Sequence, residues 1–524
     1  MRLLFSFFML FLFHASFSQK DSLAIKYAKT ITADELSKHL HVLASDEYEG
    51  RETGRKGQKM AAEYIKKHFE NIGIPPVNGS YYQEFPLTIK YPHGVTININ
   101  DKEYEFLKDF YFFRGFNDTL IKANEIVFLG YGIDDENYSD YKDAGDLNGK
   151  IVMFFDGEPF DKKKKSYVTQ REGFSGWTMS WRKKLERAKR AKVAGALIIT
   201  NDMKGSIENL RHYIEAPSMK LDTEEKKPHR RPPNFYISTE MADALLSQSK
   251  KSTEVLKKKI EKKGKPISFT TQGNLKIDVS RKEEKVVSEN VLGYIEGTDK
   301  KDEVLILTAH YDHIGIDGEE VYNGADDDGS GTVALLELAE AFSVAKKAGN
   351  GPRRSILIMP VAGEEKGLLG SKYYTDNPIF KLENTIADLN IDMIGRIDTM
   401  HEGNANYVYL IGSDKLSTEL HAISEKANAT YTNIELDYTF NQPDDPNRFY
   451  YRSDHYNFAK NQIPVIFYFN GVHEDYHKST DTVEKIDFDK IEKITKLVFY
   501  TAWELANREK RIEVDVENEF EKEE

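Results

Sequence analysis

Five short segments carry side chains able to hold a metal ion or move a proton. They are Ala309-His310-Tyr311-Asp312-His313, the run from Asn323 to Gly331 with Asp326-Asp327-Asp328 inside it, Gly363-Glu364-Glu365-Lys366-Gly367, Asp392, and Tyr476-His477-Lys478. Imidazole and carboxylate donors without thiolate suit Zn²⁺, with Mn²⁺ or Co²⁺ as substitutes. Two ions need one shared carboxylate and about two further ligands each, and the five segments can supply them. Each segment alone has a plainer reading. A lone His after a strand is usually a hydrogen-bonded loop residue, Asp-Asp-Asp-Gly before a helix is often a cap, and Glu-Glu is usually a solvated face.

The elements that position these segments weigh against coincidence. Residues 304–308, 355–361, 386–391, 407–411 and 464–469 read as strands, and 332–342 as a helix with Val333, Leu336, Leu338, Ala339 and Phe342 on its apolar side. Strands alternating with helices predict an α/β fold with a mixed, mostly parallel sheet sandwiched by helices. In such sheets ligands bind beyond the carboxyl ends of the strands. Four of the five segments follow a predicted strand, and the second sits just before the helix.

Upstream, Thr32 with Glu35 three residues later reads as a helix start. A second helix carries Met60, Ala61, Tyr64, Ile65 and Phe69 and stops at Gly73, ahead of Pro75-Pro76. Between them Glu49-Gly50-Arg51-Glu52-Thr53-Gly54-Arg55 is a polar turn, and 82–89 reads as a strand. The texture changes over 91–285, where short apolar strands (126–129, 150–155, 196–200) alternate with basic stretches at 162–165, 182–192 and 257–265. These basic stretches are expected to be solvated helix faces, because the chain as a whole is acidic. The acidic end, 513–524, is expected to be disordered.

The chain has 524 residues, with Lys+Arg 73 against Asp+Glu 86 for a net charge of −13. That balance argues against nucleic acid or an anionic membrane surface as partner. Hydrophobic residues at 40% and charged ones at 30% describe a globular chain with a real core. Cys is 0, which excludes disulfides, Cys-ligated zinc, iron–sulfur clusters and thiol catalysis. At the start, Arg2, the apolar run 3–13 and Ser16-Phe17-Ser18 read as a secretory signal peptide cut near Ser18. The run is well short of the ~20 residues of a membrane span. The expected location is therefore the periplasm or the medium, without stable membrane insertion.

His310-x-Asp312, the 324–331 stretch, Glu364-Glu365-x-Gly367-Leu368-Leu369-Gly370-Ser371, Asp392-Met393, Ser453-Asp454-His455 and His477 together resemble the co-catalytic dizinc aminopeptidases, a family that includes the glutamate carboxypeptidase and transferrin-receptor branches. The resemblance covers about 290–510 and extends to the helical segment 32–76. Gly130-Tyr131-Gly132 and Gly149-Lys150-Ile151-Val152 make the insert similar to a β-rich protease-associated domain. The implied organisation is a signal peptide at 1–18, a first part of the peptidase domain at 19–90, the insert at 91–285, the main peptidase part at 286–510, and an acidic tail at 511–524.

The resemblance implies that Asp327 bridges two Zn²⁺ ions, that His310 and Asp392 complete one position, and that Glu365 and His477 complete the other. It implies Glu364 as general base toward a metal-bridging water, Asp312 as acceptor of a hydrogen bond from the His310 ring, and Tyr450 as an aid to the oxyanion. The expected activity is an exported metallo-aminopeptidase acting on peptides with a free N-terminus. A carboxypeptidase remains open because Arg396, Arg448 and Arg452 lie near the motifs. Glutaminyl cyclisation, which uses one zinc, fits less well with the intact Asp run, and a receptor-like binding module would show lost ligands. The sequence leaves the oligomeric state open.

Overall fold

A computed structural model describes residues 20–92, 94–113, 118–223 and 231–517 of the chain. The expected leader, 1–18, lies outside the described residues. Two compact units are formed, one from Met1–Leu87 with Val286–Glu524 and the other from Thr88–Lys285.

The first unit is built on a seven-stranded sheet. Its strands are β1 (Gly293–Ile295), β2 (Lys300–His310), β3 (Arg354–Val361), β4 (Thr385–Ile391), β5 (Tyr407–Ile411), β6 (Glu435–Asp437) and β7 (Val465–Phe469), in the order β1-β3-β2-β4-β7-β5-β6. The four middle strands, β3, β2, β4 and β7, run parallel, and β1 and β5 pair antiparallel to their neighbours. Every residue of β3, β4, β5 and β7 is buried, as is β2 from Val304 onward. Burial of both faces is why these strands read as unbroken apolar runs.

Helices supply the cover. They are α1 (Ser22–Ala28), α2 (Ala33–Leu43), α3 (Lys56–Asn71), α4 (Gly331–Lys347), α5 (Leu369–Asp376), α6 (His455–Ala459) and α7 (Phe488–Asn507). Thr32 caps α2, its hydroxyl accepting from the backbone N–H of Glu35. Helices α2, α3 and α7 pack on α4, which lies against β2 and β3, while α6 lies against β4 and β7. Strand register sets the site: His310 pairs with Val361, Thr308 with Asn390, and Ile391 with Tyr468, so the three strand ends stop at one level.

The second unit holds an eight-stranded sheet. Thr119–Leu129 pairs antiparallel with Ser268–Val279 and parallel with Ile151–Phe155, followed by Gly195–Ile199 and Asn234–Ile237. Two of the basic stretches lie on helices that bury a narrow apolar stripe: Leu185 and Ala188 in Trp181–Arg190, and Leu256 and Ile260 in Thr253–Lys263.

One expectation is corrected at the C-terminus. Residues 513–517 of the acidic end are held in place next to the buried Ile512, Asp515 accepting from the backbone and hydroxyl of Thr418 while its own N–H donates to Leu416, and 518–524 lie outside the described residues. A single apolar anchor in an acidic stretch leaves no periodicity to read.

Candidate metal centre

The triple aspartate divides three tasks among neighbouring side chains. Asp326 accepts from the N–H of Gly395 through Oδ1 at 2.6 Å, and its Oδ2 lies 3.2 Å from His473 Nε2. Asp328 accepts from the N–H groups of Gly331 (2.8 Å) and Met393 (3.0 Å) through Oδ1, and from His310 N–H (3.2 Å) through Oδ2. It thereby fastens the start of α4 and the loop after β4 to the end of β2. Asp327 alone turns to the centre, and both its neighbours and its own backbone are held: the N–H groups of Asp326 and Asp327 donate to the carboxylate of Asp481. Gly324 opens this loop with φ +53, and a Cβ there would stand 2.3 Å from Asp327 O and 2.5 Å from the His313 ring. No other residue fits that approach.

Asp327 presents one oxygen to each side. Its Oδ1 lies 3.2 Å from His310 Nε2, and its Oδ2 lies 3.1 Å from His477 Nε2. On the first side, His310 Nε2 is 3.6 Å from Asp392 Oδ1 and 3.9 Å from Glu364 Oε2. On the second, Glu365 Oε2 is 3.2 Å from His477 Nε2, and Glu365 Oε1 is 2.9 Å from His313 Nδ1. The adjacent carboxylates of Glu364 and Glu365 thus serve different sides.

The site residues expected from sequence are therefore together, apart from two. His310 Nδ1 lies 3.0 Å from the backbone carbonyl of Asp312, whereas its carboxylate Oδ1 is 3.9 Å from that nitrogen. The Asp312 carboxylate accepts instead from Thr53 Oγ1 at 2.6 Å and from the N–H of Glu364 at 3.3 Å. The ring is still oriented by residue 312, but through its main chain. Tyr450 is buried in the apolar core, its ring against His455 and Gly412, and Tyr476 lines the cavity in its place, stacked on His477 with centroids 3.9 Å apart.

Three contributors lie in segments that the sequence marked, but it gave them no role of their own. His313 stands in the same short motif as His310. Arg51, fully buried, donates to the carbonyls of Tyr311 (2.8 Å), Leu43 (2.7 Å), Asn323 (2.7 Å) and Gly324 (2.9 Å), tying the polar turn before α3 to the metal loop. Ser453 donates to Asp392 Oδ2 at 2.7 Å and accepts from Asn390 Nδ2 at 2.9 Å, which fixes the Asp392 carboxylate.

Electrostatics separate the two glutamates. Burial raises the Glu364 carboxyl well above the ordinary range, and the charges of Glu365 and Asp392 add to the effect against the opposing pull of His310. Burial and the Asp327 charge push Glu365 up too, but the His313 and His477 rings outweigh them and hold it near 2. Asp327 Oδ2, Glu365 Oε1 and both ring nitrogens of His313 are buried without a hydrogen-bond partner. Orphaned polar atoms at this density are costly unless an ion completes them. The mix of carboxylate and imidazole donors suits zinc, and His310, Glu364 and Asp392 on one side and His313, Asp327 and Glu365 on the other each present ligand atoms within 4.8 Å of one another.

The fold and the site define an α/β domain carrying a two-position carboxylate–imidazole centre at the ends of parallel strands. Residues 290–502 match the model of peptidase family M28. It is 32% identical over 214 residues to a probable leucine aminopeptidase of Arthroderma otae, covering 40% of this chain and 55% of that protein. It is 29% identical over 262 residues to a probable zinc metalloprotease of Pyrenophora teres f. teres, covering 42% and 52%. The chain thus spans about half the length of the curated relatives it matches. Among solved structures, the aminopeptidase from Aneurinibacillus sp. strain AM-1 aligns with a TM-score of 0.53 at 19% identity, over 95% of this chain and 98% of that one, which places the two in one fold.

Proposed function

We propose that the chain is an exported metallo-aminopeptidase that releases N-terminal residues from peptides with two zinc ions. The observation that carries this reading is the division of the Asp327 carboxylate, one oxygen 3.2 Å from His310 and the other 3.1 Å from His477, as a ligand shared between two ions requires. His310 and Asp392 would hold one ion with Asp327, and Glu365 and His477 the other. When bound, the ions would polarise the scissile carbonyl and lower the pKa of water.

The protein's own groups do the rest. Glu364 takes the proton of the attacking water and returns it to the leaving amine, a task its place at the cavity wall permits. The cavity that His310, Asp327, Glu364 and Asp392 line has an apolar wall of Met393, Phe449, Phe467, Phe469 and Val472, which suits an apolar side chain at the peptide N-terminus. Residues 1–18 support export, and the insert, on its glycine motifs, is read as a protease-associated domain.

Arg452 at the same cavity favours one second reading, a carboxypeptidase whose guanidinium takes the substrate carboxylate. One peptide offered free, N-acetylated and C-amidated to zinc-loaded protein separates the two by mass spectrometry. Shortening from the N-terminus, spared by acetylation, is expected. Shortening from the C-terminus, blocked by amidation, would establish the second reading, and no shortening of any form would remove both.

A further inference from the structure

Away from the strand ends, three carboxylates meet where α2 packs on α4. Glu35 of α2 and Glu337 and Glu340 of α4 each present an oxygen, and the three oxygens lie within 4.8 Å of one another. Glu337 is 1% exposed; its Oε2 accepts from the N–H of Thr32 at 3.3 Å, while its Oε1 is buried without a hydrogen-bond partner. The His39 ring holds Nε2 3.9 Å from that oxygen, too far for a hydrogen bond, and turns Nδ1 to the Tyr64 hydroxyl at 2.7 Å. Neighbouring cations are engaged elsewhere, Lys38 by Asp34 and Lys347 by the carbonyl of Ile72. Carboxylates this close cannot all be ionised unless a cation joins them.

We propose that Glu35, Glu337 and Glu340 form a calcium site, separate from the centre at the strand ends, that clamps α2 to α4. Oxygens bound to Ca²⁺ lie about 2.3–2.6 Å from it, so two of them stand up to about 5 Å apart, as the cluster allows. All three ligands are hard oxygen donors, the kind that calcium takes in preference to the imidazole and thiolate of a zinc site. The orphaned Oε1 of Glu337 gains its partner in the ion. Glu35 and Glu340 are only partly buried, which leaves water free to complete the coordination. The clamp joins a helix from the part of the first unit that precedes Leu87 to one from the part that follows Val286. Its occupancy is independent of the zinc reading.

The test titrates Ca²⁺ into the zinc-loaded full chain by calorimetry at neutral pH, with zinc counted before and after. One Ca²⁺ per chain is expected, with a Kd of about 10⁻⁴–10⁻³ M, the range of extracellular calcium modules. The melting temperature should rise as Ca²⁺ is added. Glu35→Gln and Glu340→Gln, both at partly exposed positions, should each weaken binding about tenfold or more. Amide exchange of the wild type should slow over 33–43 and 331–347 when Ca²⁺ is present. No uptake at about 10 mM Ca²⁺ would overturn the proposal. Equal affinity in both variants, or loss of zinc as Ca²⁺ enters, would place the ion elsewhere and do the same. If the variants fail to fold, unchanged exchange over the two helices in calcium-bound wild type is sufficient to overturn it.

Discussion

The hydroxyl of Thr53 donates to Asp312 Oδ2 at 2.6 Å although 259 residues separate them in sequence. Asp312 in turn accepts from the N–H of Glu364, so the polar turn before α3 reaches the loop that carries the proposed base in two steps. Burial raises the Asp312 carboxyl, and the His310 ring and the Thr53 hydroxyl oppose it. Thr53→Val keeps the shape and removes one donor, leaving a buried oxygen short of a partner. The expected cost is about 1–3 kcal/mol in unfolding free energy, with a fall in kcat larger than any change in KM. Equal kcat in the variant and wild type would separate this contact from catalysis.

Glu364→Gln preserves volume and removes the proton acceptor. Glu364 lies near His310, at 3.9 Å, while Asp327 and Asp392 approach that ring more closely. Zinc content should therefore remain at the wild-type level while kcat falls by about 10²–10⁴-fold, the usual worth of a general base. A variant that retains zinc and near-full activity would remove Glu364 from the proton transfer.

Ser453→Ala frees one oxygen of Asp392 and leaves Asn390 without its acceptor. Partners that hold a ligating carboxylate are worth about 10–100-fold in metal affinity. The His310–Asp392 ion should weaken by that factor in a chelator competition, with the other ion unchanged. Equal weakening of both ions would point to a general loss of structure.

Glu337 gives a pH dependence remote from the centre. Its side chain is 1% exposed, and burial, aided by Glu35, Glu340 and Glu492, raises its carboxyl to about 8, with the N–H of Thr32 opposing. His39, 3.9 Å away, is itself pushed down to about 4 by burial and offers no charge at neutral pH. The folded protein thus holds a proton that the unfolded chain releases near the ordinary carboxyl value. This stabilising share is complete below that value and is lost as pH rises to about 8, at roughly 1.4 kcal/mol per unit. Melting curves of zinc-loaded wild type and Glu337→Gln should diverge from about pH 5 to pH 8, the variant becoming the more stable. Parallel curves would show that Glu337 is ionised in the folded state.

The strands and the clustered donors were readable because each rests on local pattern. Strands buried on both faces leave apolar runs, and His310, Asp327, Glu364, Glu365, Asp392 and His477 sit at their ends or beside a glycine turn. What escaped depends on chain segments meeting from far apart. Tyr450 lies in an aromatic-rich stretch and Tyr476 beside His477, and only the packing of 449–451 against the core decides which one faces the cavity. Asp312 was read as partner of the His310 ring because its type suits the role, yet the main-chain carbonyl two residues on reaches the nitrogen first. Arg51 and Thr53 looked like turn residues, since nothing near them in sequence announces a partner beyond residue 300.

The four carbonyls gathered by Arg51 carry a consequence for anyone who would cut this protein down. Three of them, on Tyr311, Asn323 and Gly324, fall inside the M28-matching segment, but the guanidinium that satisfies them does not. A fragment trimmed to 290–502 would leave these carbonyls, in the loop that aims Asp327, without the Arg51 donor. The unit that keeps this loop supported is bipartite, and its first piece, some two hundred residues upstream, is a candidate for supply in trans as a separate polypeptide.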